Sequence, residues 1–303
     1  MSRDHRVIAC IPYYRCRPYV RRAVQSVLDQ THRDITVVVV NDGDPEPPWA
    51  LLADIRDPRL VRFNLAANHG PYFANAVVLN ATSARYFLIQ DADDWSASTR
   101  VASLLDRLEH EGSDLAISAQ PQYVENGHGN QVLDVRWATI SCNGVQGRRY
   151  VVRPTLAPEY GYRAPHHGLF RSDSIRGVGG YYGGVRVAYD KLLTNLILMT
   201  GRISHVPQPL YYRLVRRESL THSPLTGVGS AYAQQVQRAL VESYRNCFTC
   251  YLEYLAGKID SRRLGEIIRG SIKKNVRAAD ARQLTLETQR LRALLRTRGI
   301  EPG

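Results

Sequence analysis

Short apolar runs alternate with amphipathic stretches along the first 120 residues of the chain. The apolar runs are rich in β-branched and aromatic residues, which predicts strands over 7–11, 35–40, 60–63, 86–90 and 115–118. Between them, apolar residues recur at helical spacing, which predicts helices over 18–31, 73–81 and 101–108. Such alternation is typical of parallel β-α-β units. We therefore expect an α/β fold with a mostly parallel sheet flanked by helices.

Polar and aromatic residues follow the first two predicted strands, at the sheet edge where α/β proteins bind ligands. Pro12, Tyr13 and Tyr14 follow the first strand and offer an aromatic face for a base or a sugar. The second strand is followed by Asn-Asp-Gly-Asp at 41–44, where a carboxylate can accept hydrogen bonds from a base N–H group or ribose hydroxyls. Turn formation alone is the competing explanation of this second cluster.

Three acids follow the fourth predicted strand, in the sequence Asp91-Ala92-Asp93-Asp94. The strand period of two predicts that Asp91 and Asp93 point to the same side. Two converging carboxylates suit Mg²⁺ or Mn²⁺ held partly by substrate phosphates. The alternative is a helix cap, supplied by Asp94 or Ser96 before the next helix. A cap needs one acid, however, whereas three acids at one sheet edge repel one another unless a cation lies between them.

Several common nucleotide-binding and hydrolase motifs are absent from the sequence. It contains no Gly-x-Gly-x-x-Gly after the first strand, no Walker phosphate loop and no Gly-x-Ser-x-Gly elbow. These absences argue against dinucleotide oxidoreductases, P-loop nucleotide triphosphatases and α/β-hydrolases. Cys247 and Cys250 lie one turn apart in a helix predicted over 231–255, without a second Cys or His pair nearby. We therefore expect them to serve core packing rather than a metal site.

Composition and charge distinguish the body of the chain from its last 46 residues. Hydrophobic residues make up 44% of the 303 residues, and the five cysteines are scattered. No apolar run approaches the ~18 residues of a membrane span, and no signal peptide is visible, so we expect a soluble cytoplasmic protein. The net charge is +12, and 258–303 hold twelve Lys and Arg against five Asp and Glu. This basic tail predicts a solvated helical face or a homo-oligomer contact, with an anionic surface as the alternative partner.

Five ordered blocks of the sequence resemble the family 2 glycosyltransferases, which have the GT-A fold. The blocks are Val-Ile-Ala-Cys-Ile-Pro-Tyr-Tyr at 7–14, Ser-Val-Leu-Asp-Gln-Thr at 26–31, Val-Val-Asn-Asp-Gly at 39–43, Asn-His-Gly at 68–70 and Leu-Ile-Gln-Asp-Ala-Asp-Asp at 88–94. Weaker blocks are Phe-Arg at 170–171, Gly-Val-Gly-Gly-Tyr at 177–181, Tyr-Asp at 189–190 and Tyr-Tyr-Arg at 211–213. The resemblance implies a metal-dependent, inverting transfer of a sugar from a nucleoside diphosphate to an acceptor hydroxyl or amine.

The resemblance also implies which residues hold the donor. Asp42 would contact the base or ribose, Asp91 the ribose or the metal, and basic residues near 213–217 would close over the diphosphate. The implied donor-binding residues are Pro12, Tyr13, Tyr14, Asp42, Asn68, Gly70, Asp91, Arg213, Arg216 and Arg217. The implied ligands of Mn²⁺ or Mg²⁺ are Asp91, Asp93 and His222. UDP or dTDP is the expected donor nucleotide.

On the acceptor side, the resemblance implies a carboxylate base near the start of a helix. Asp190 is the candidate, although Tyr189 stands where the family commonly has Glu. The alternatives are that Asp190 caps its helix and that Asp173 serves as the base instead. His166 and His167 are expected to orient the acceptor or to act in place of the carboxylate. The implied acceptor-binding residues are His166, His167 and Tyr162.

The blocks divide the chain into three predicted parts. Residues 1–118 would form the nucleotide-sugar half of the GT-A domain, 119–225 its acceptor-binding and catalytic half, and 226–303 a basic helical extension. The segment 119–168 is irregular and rich in aromatic residues, which suit sugar rings or a planar aglycone. We expect a soluble acceptor, with a lipid-linked one as the alternative if the basic tail attaches to an anionic membrane.

Two departures from the family pattern indicate that the donor phosphates are contacted differently, and two other functions stay open. The segment 73–75 lacks the usual Arg before its Asn, and no His follows Tyr212-Arg213 within two residues. A sugar nucleotidyltransferase would share the fold and the metal, but the Gly-rich basic loop expected after the first strand is absent. A non-catalytic nucleotide-sugar-binding scaffold would have no need of Asp190 opposite the acidic cluster.

Overall fold

The computed structural model describes residues 6–125, 131–133, 166–216, 219–220, 223–227 and 229–301. The strands are β1 Val7–Tyr13, β2 Ile35–Asn41, β3 Leu60–Asn64, β4 Tyr86–Ile89, β5 Trp95–Ser96, β6 Leu115–Ala119, β7 Gln122–Glu125, β8 Gln131–Leu133, β9 Gly168–Arg171, β10 Ile203–Pro209 and β11 Tyr211–Val215. The helices are α1 Val20–Leu28, α2 Pro71–Ala81, α3 Arg100–Glu111, α4 Ser172–Gly177, α5 Tyr189–Thr200, α6 Ala231–Leu255, α7 Ser261–Asn275 and α8 Ala278–Thr297. Every strand and helix predicted for the first 118 residues is present, with its ends shifted by no more than three residues.

Seven strands form the central sheet, in the order β10-β6-β9-β4-β1-β2-β3. β1 runs parallel to β2 and β4, β2 parallel to β3, and β6 parallel to β10. The prediction of a mostly parallel α/β sheet is confirmed. β9 is the exception, because it runs antiparallel to both of its neighbours, β4 and β6. This insertion brings the residues just before β9 to the edge where β1, β2 and β4 end.

An apolar layer covers each face of the central sheet. Alternate residues of β1 enter different layers, with Ile8 and Cys10 in one and Ala9 and Ile11 in the other, as the period of two requires. The first layer also contains residues of α2 and α5, and the second contains residues of α1 and α3. Burial on both faces explains why these strands are near-continuous apolar runs and do not alternate apolar with polar residues.

A smaller four-stranded sheet lies beside the carboxyl edge, in the order β5-β11-β7-β8. β11 pairs antiparallel with β5 and parallel with β7, and β8 returns antiparallel beside β7. The prediction that 119–168 is irregular is therefore wrong for β7 and β8. Since β5 directly follows the acidic segment 91–94, its pairing with β11 holds that segment against β11.

The three last helices pack on the core instead of standing apart from it. α8 lies against α2, and α6 lies against α5 and α7. The predicted helix over 231–255 is confirmed as α6, where Cys247 is fully buried in the apolar layer. Ile268 and Ile272 of α7, with Leu291 and Leu295 of α8, complete this packing.

Part of the positive charge of the basic tail is used inside the chain. Arg292 donates to the carbonyl oxygen of Asn80 at 2.7 Å, and Arg298 donates to that of Leu60 at 3.1 Å. These contacts join the end of the chain to α2 and β3. The contact of the outer basic residues with a partner stays a prediction. Within the described ranges, no helix combines the length and apolar character that a bilayer span demands.

Candidate active site

The turn after β2 is held together by its own side chains. Asn41 donates to the carbonyl oxygen of Asp44 at 3.1 Å and to Oδ1 of Asn64 at 3.0 Å. The backbone N–H of Asp44 donates back to Oδ1 of Asn41 at 3.1 Å. Gly43 has a φ of +69°, and a Cβ atom there would lie 2.3 Å from the backbone carbon of Ala67. For these residues, turn formation accounts for the sequence pattern.

Asp42 in the same turn holds a second loop. Its Oδ1 and Oδ2 atoms accept the backbone N–H groups of His69 and Gly70, both at 2.8 Å. Asn68 adds a bond to the Asp42 carbonyl oxygen at 3.0 Å. Burial raises the pKa of Asp42 to about 6, although the two N–H donors and the nearby Arg186 oppose the rise. Asp42 therefore positions the 68–70 loop, and its expected contact with the donor base stays a prediction.

The aromatic residues after β1 lie in different environments. The Tyr13 ring is 1% exposed in the core, and its hydroxyl donates to the carbonyl oxygen of Glu46 at 3.2 Å. Tyr14 is 37% exposed. Pro12 is half-buried, so its exposed fraction lies between those of Tyr13 and Tyr14. Tyr14 and Pro12 are thus the residues of this segment that offer a face to a ligand, whereas Tyr13 supports the strand end.

The three acids after β4 each have a different partner. Asp91 Oδ2 lies 2.8 Å from Nε2 of His167, and Asp93 Oδ2 accepts from Nε of Arg216 at 2.6 Å. Asp94 Oδ1 accepts the backbone N–H of Leu214 at 2.7 Å. The strand alternation expected to bring Asp91 and Asp93 together does not reach them, because β4 ends at Ile89 and the segment 91–94 turns. A cation shared by Asp91 and Asp93 stays a prediction.

The acids that do converge are Asp91 and Asp94. One ligand atom each from Asp91, Asp94 and His167 lies within 4.8 Å of the others, which suits a divalent cation with oxygen and imidazole ligands. Burial, followed by the Asp93 and Asp91 carboxylates, holds the pKa of Asp94 well above its usual range. Burial also lowers the pKa of His167 to about 4, so the ring is neutral at pH 7 as a metal ligand must be. The residues present therefore fit a bound cation, which would relieve the repulsion between the acids.

Asp93, another predicted cation ligand, is not part of the group formed by Asp91, Asp94 and His167. Burial raises the pKa of Asp93, as does Asp91, while the ion pair with Arg216 lowers it. Asp93 would have to leave Arg216 to join a cation. His222, with the predicted donor residue Arg217 and the predicted acceptor residue Tyr162, lies outside the described residues.

A buried arginine beneath the acidic segment was not identified from the sequence. Arg100, at the start of α3, is 0% exposed and donates to Oε1 of Gln90, Oγ of Ser96 and the carbonyl oxygen of Ile89. Its guanidinium lies 4.2 Å from the ring centroid of Tyr211. In the sequence, an Arg at the start of a predicted helix does not indicate that its side chain will be buried beneath the acidic segment.

The helix-cap alternative for Asp94 and Ser96 is wrong, because Thr99 occupies the N-cap position of α3.

Tyr211 joins this support to the acidic cluster. The ring of His167 stacks on the Tyr211 ring at 4.8 Å with an interplanar angle of 15°. The Tyr211 hydroxyl accepts the backbone N–H of Asp91 at 3.1 Å and also bonds to Asp94. Arg213 in the same strand holds its Nε buried without a hydrogen-bond partner among the described residues. Arg213 is close enough to help lower the pKa of Asp91, so it lies beside the cluster, and its contact with the donor phosphates stays a prediction.

Asp190 lies in the first turn of α5, facing the other end of this site. Oδ1 accepts the hydroxyl of Tyr72 at 2.5 Å, and Oδ2 lies 3.2 Å from Nδ1 of His166. Burial alone would raise the pKa of Asp190, but His166 and the Tyr72 hydroxyl hold it below its usual value. The N-cap position belongs to Ala188, so the alternative that Asp190 caps the helix is wrong. Asp173 is 96% exposed at its side chain and pairs with Arg176, which separates it from this site.

Comparison with known proteins gives a family match to more than half of the chain. Residues 8–176 match the model of glycosyl transferase family 2. Glycosyltransferase GlyA of Streptococcus pneumoniae is 28% identical over 116 residues, which are 38% of this chain and 16% of that protein. Succinoglycan biosynthesis protein ExoO of Rhizobium meliloti is 31% identical over 104 residues, 34% of this chain and 30% of that one. The chain thus spans less than half the length of these curated relatives.

The fold has a counterpart of similar extent among solved structures. A crystal structure of S. aureus TarS 1–349 in complex with UDP-GlcNAc superposes with a TM-score of 0.56 and 14% identity, covering 97% of this chain and 92% of that one. At this identity the likeness concerns the fold. It extends over the C-terminal helices, which the match to the family model does not reach.

Proposed function

Since the chain belongs to glycosyltransferase family 2, we propose that it transfers a glycosyl group from a nucleoside-diphosphate sugar to an acceptor hydroxyl or amine, with inversion at the anomeric carbon. The observation that carries this proposal is the placement of a half-buried, ionised acid, Asp190, across from the Asp91–Asp94 cluster, with His166 and His167 between them. A scaffold that only binds a nucleotide sugar would have no use for that acid.

Asp190 would act as the base. It accepts the proton of the acceptor hydroxyl while the acceptor oxygen forms a bond to the anomeric carbon, and the bond from that carbon to the diphosphate oxygen breaks. The electron pair of the broken bond leaves with the nucleoside diphosphate. Tyr72 and His166 each donate to a different Asp190 oxygen, and each oxygen retains a further lone pair for the incoming proton.

Positive charge is needed where the diphosphate leaves. Asp91, Asp94 and His167 would hold Mn²⁺ or Mg²⁺, a Lewis acid that stabilises charge developing on the leaving phosphates. Arg213 adds a guanidinium whose Nε has no partner within the described part of the chain. Arg216 would add a second one if the donor displaced it from Asp93.

The donor nucleoside would lie over the ends of β1 and β2. Tyr14 and Pro12 offer the exposed face there, and the 68–70 loop held by Asp42 forms the adjoining wall. UDP is the favoured nucleotide, with dTDP second. In support, a matching Escherichia coli protein, WfaP, 25% identical over 101 residues, is named as a UDP-Glc-dependent glucosyltransferase.

The division of labour along the chain is proposed on the same grounds. Residues 1–118 would bind the donor, 119–225 would supply the base and the acceptor contacts, and 226–303 would form the helical extension. The acceptor would enter on the Asp190 side, where His166 is close to the base and to the ring of Tyr181.

The experiment measures ligand binding first and turnover second. Melting temperatures with UDP, dTDP, GDP and CDP, each with and without Mn²⁺, should rise for one nucleotide in a metal-dependent way, because a ligand of the native state stabilises it by mass action. The sugar donors of that nucleotide are then tested for release of the free diphosphate. Asp190→Asn should retain nucleotide binding and lose at least ~100-fold in turnover. Nucleotide binding without turnover of any donor in the wild type would favour the scaffold.

A further inference from the structure

Two consecutive histidines connect the proposed base to the proposed cation site. Nδ1 of His166 lies 3.2 Å from Oδ2 of Asp190, and Nε2 of His167 lies 2.8 Å from Oδ2 of Asp91. The two imidazole rings are 4.2 Å apart between centroids. Each functional carboxylate is therefore one hydrogen bond away from the same dipeptide. None of the activity proposed so far requires such a connection.

The central sheet fixes where this dipeptide lies. β9 begins at Gly168 and pairs antiparallel with β4, with Leu169 opposite Leu88. Continuing that register places residue 167 opposite 90 and residue 166 opposite 91, at the carboxyl end of β4. Gly168 permits the approach to β6, because a Cβ atom there would lie 2.3 Å from the carbonyl oxygen of Ala116.

The His167 side of the dipeptide is held firmly. The residue is 4% exposed, its carbonyl oxygen accepts the side chain of Gln120 at 3.0 Å, and its ring stacks on Tyr211. His166 follows from this anchor by a single peptide unit. Its ring is consequently presented to Asp190 from a backbone position that the pairing of β9 in the central sheet determines, while Asp190 itself lies on a separate helix.

We infer that His166 is a positioning residue for Asp190, and that its peptide link to His167 sets the location of the base relative to the cation site and the leaving diphosphate. This inference rests on the proposed transfer reaction. Orientation matters because reacting groups misplaced by about 1 Å lose on the order of 100-fold in rate. A bond from His166 to one Asp190 oxygen, opposed by Tyr72 on the other, restricts rotation of the carboxylate about its last torsion.

Replacing His166 should therefore affect turnover, whereas replacing His167 should affect cation-dependent binding of UDP. His166→Leu removes the bond to Asp190 and should lower kcat for release of UDP from UDP-sugars by at least ~10-fold, leaving the Kd of UDP with Mn²⁺ within about twofold of wild type. His167→Leu removes the bond to Asp91 and a cation ligand, and should weaken Mn²⁺-dependent UDP binding by ~10-fold or more. Calorimetric titration supplies the binding constants independently of turnover. His110→Leu, at an exposed position in α3, is the matched control.

A rescue series separates positioning from packing. His166→Asn places an amide N–H where Nδ1 stood and should recover most of kcat, whereas His166→Gln places its amide near the Nε2 position and should not. These two variants test the positioning role of His166 even if His166→Leu fails to fold.

Equal kcat in the Asn and Gln variants, or unchanged kcat in His166→Leu, would overturn this inference and leave the proposed reaction standing. Wild-type protein that binds UDP and Mn²⁺ but releases no UDP from UDP-glucose, UDP-galactose or UDP-GlcNAc would overturn the proposed reaction, and the inference with it.

Discussion

Two acidic turns lie at the same edge of the central sheet, and their aspartates have different kinds of hydrogen-bond partner. In the turn after β2, Asp42 spends both carboxylate oxygens on backbone N–H groups of another loop. In the turn after β4, two of the three acids face ionisable side chains: His167 lies beside Asp91, and Arg216 beside Asp93. Both turns follow a buried strand and both contain aspartates, and the sequence predicts a contact with a base or ribose at the first turn and a divalent cation at the second.

The difference between the partners decides what each turn can do. A backbone N–H group cannot leave without moving the chain, so the Asp42 contacts define the shape of a wall. The Arg216 guanidinium, by contrast, can rotate away on its own side chain when a ligand offers a better arrangement. The segment 91–94 is therefore the exchangeable half of the site, while the 41–44 turn is the fixed half.

The largest effect is expected from the acids that approach each other. Asp94→Asn should raise the free energy of unfolding of the metal-free protein by about 1 kcal/mol, because it removes a buried carboxylate that the Asp91 and Asp93 carboxylates repel. The same change should cut donor turnover by ~100- to 1,000-fold and abolish Mn²⁺-dependent UDP binding. Urea unfolding, calorimetry and UDP release measure the three quantities.

The companion variant Asp93→Asn discriminates between the two candidate ligand sets. If Asp91, Asp94 and His167 hold the cation, Asp93→Asn should retain Mn²⁺ binding and lose stability, since Arg216 then loses the charge it is paired with. Loss of Mn²⁺ binding in Asp93→Asn with retention in Asp94→Asn would restore the ligand set predicted from strand alternation.

A smaller effect, mainly on stability, is expected at the fixed turn. Asp42→Ala at pH 7.5 should lower the free energy of unfolding by about 2 kcal/mol, because two buried N–H groups lose their acceptor, partly offset by removal of a desolvated charge. UDP binding should weaken through the displaced 68–70 loop. Tyr14→Ala, at the exposed position after β1, should weaken UDP binding without the loss of stability. Equal unfolding energies for Asp42→Ala and wild type would mean that the two hydrogen bonds are not needed to hold the loop.

The strands and the polar residues at their ends could be predicted from the sequence, because local rules determine them. β1, β2 and β4, with their polar ends, follow from β-branched runs and turn residues that act over a few neighbours. The partners of those ends come from far along the chain: His69 for Asp42, His167 for Asp91 and Arg216 for Asp93. No periodicity in one sequence encodes such pairings.

The antiparallel strand β9 shows this limit most clearly. Its four residues lie between two parallel neighbours, and only its placement brings His166 and His167 to the site. The sequence did single out this His pair as candidates, but for the acceptor. The structure brings them to the carboxylates, a relation that depends on strand order within the sheet rather than on residue type.

The smallest effect concerns the pH dependence of the fixed turn. Burial raises the pKa of Asp42 to about 6 in the folded protein, against about 3.9 in an unfolded chain. The folded state then binds the proton more tightly, so the stability that Asp42 contributes is complete below about pH 4 and is lost as the pH rises through 6. Between pH 5 and 7.5, the difference in unfolding free energy between wild type and Asp42→Ala should shrink by about 1 kcal/mol.

Burial lowers the pKa of the neighbouring His69, which makes stability rise with pH. That contribution is common to both proteins and largely cancels in the difference. Urea unfolding of the two proteins at pH 5.0, 6.0 and 7.5 measures it, and a difference that stays constant would show that the Asp42 carboxyl is charged throughout and that its N–H donors outweigh its burial.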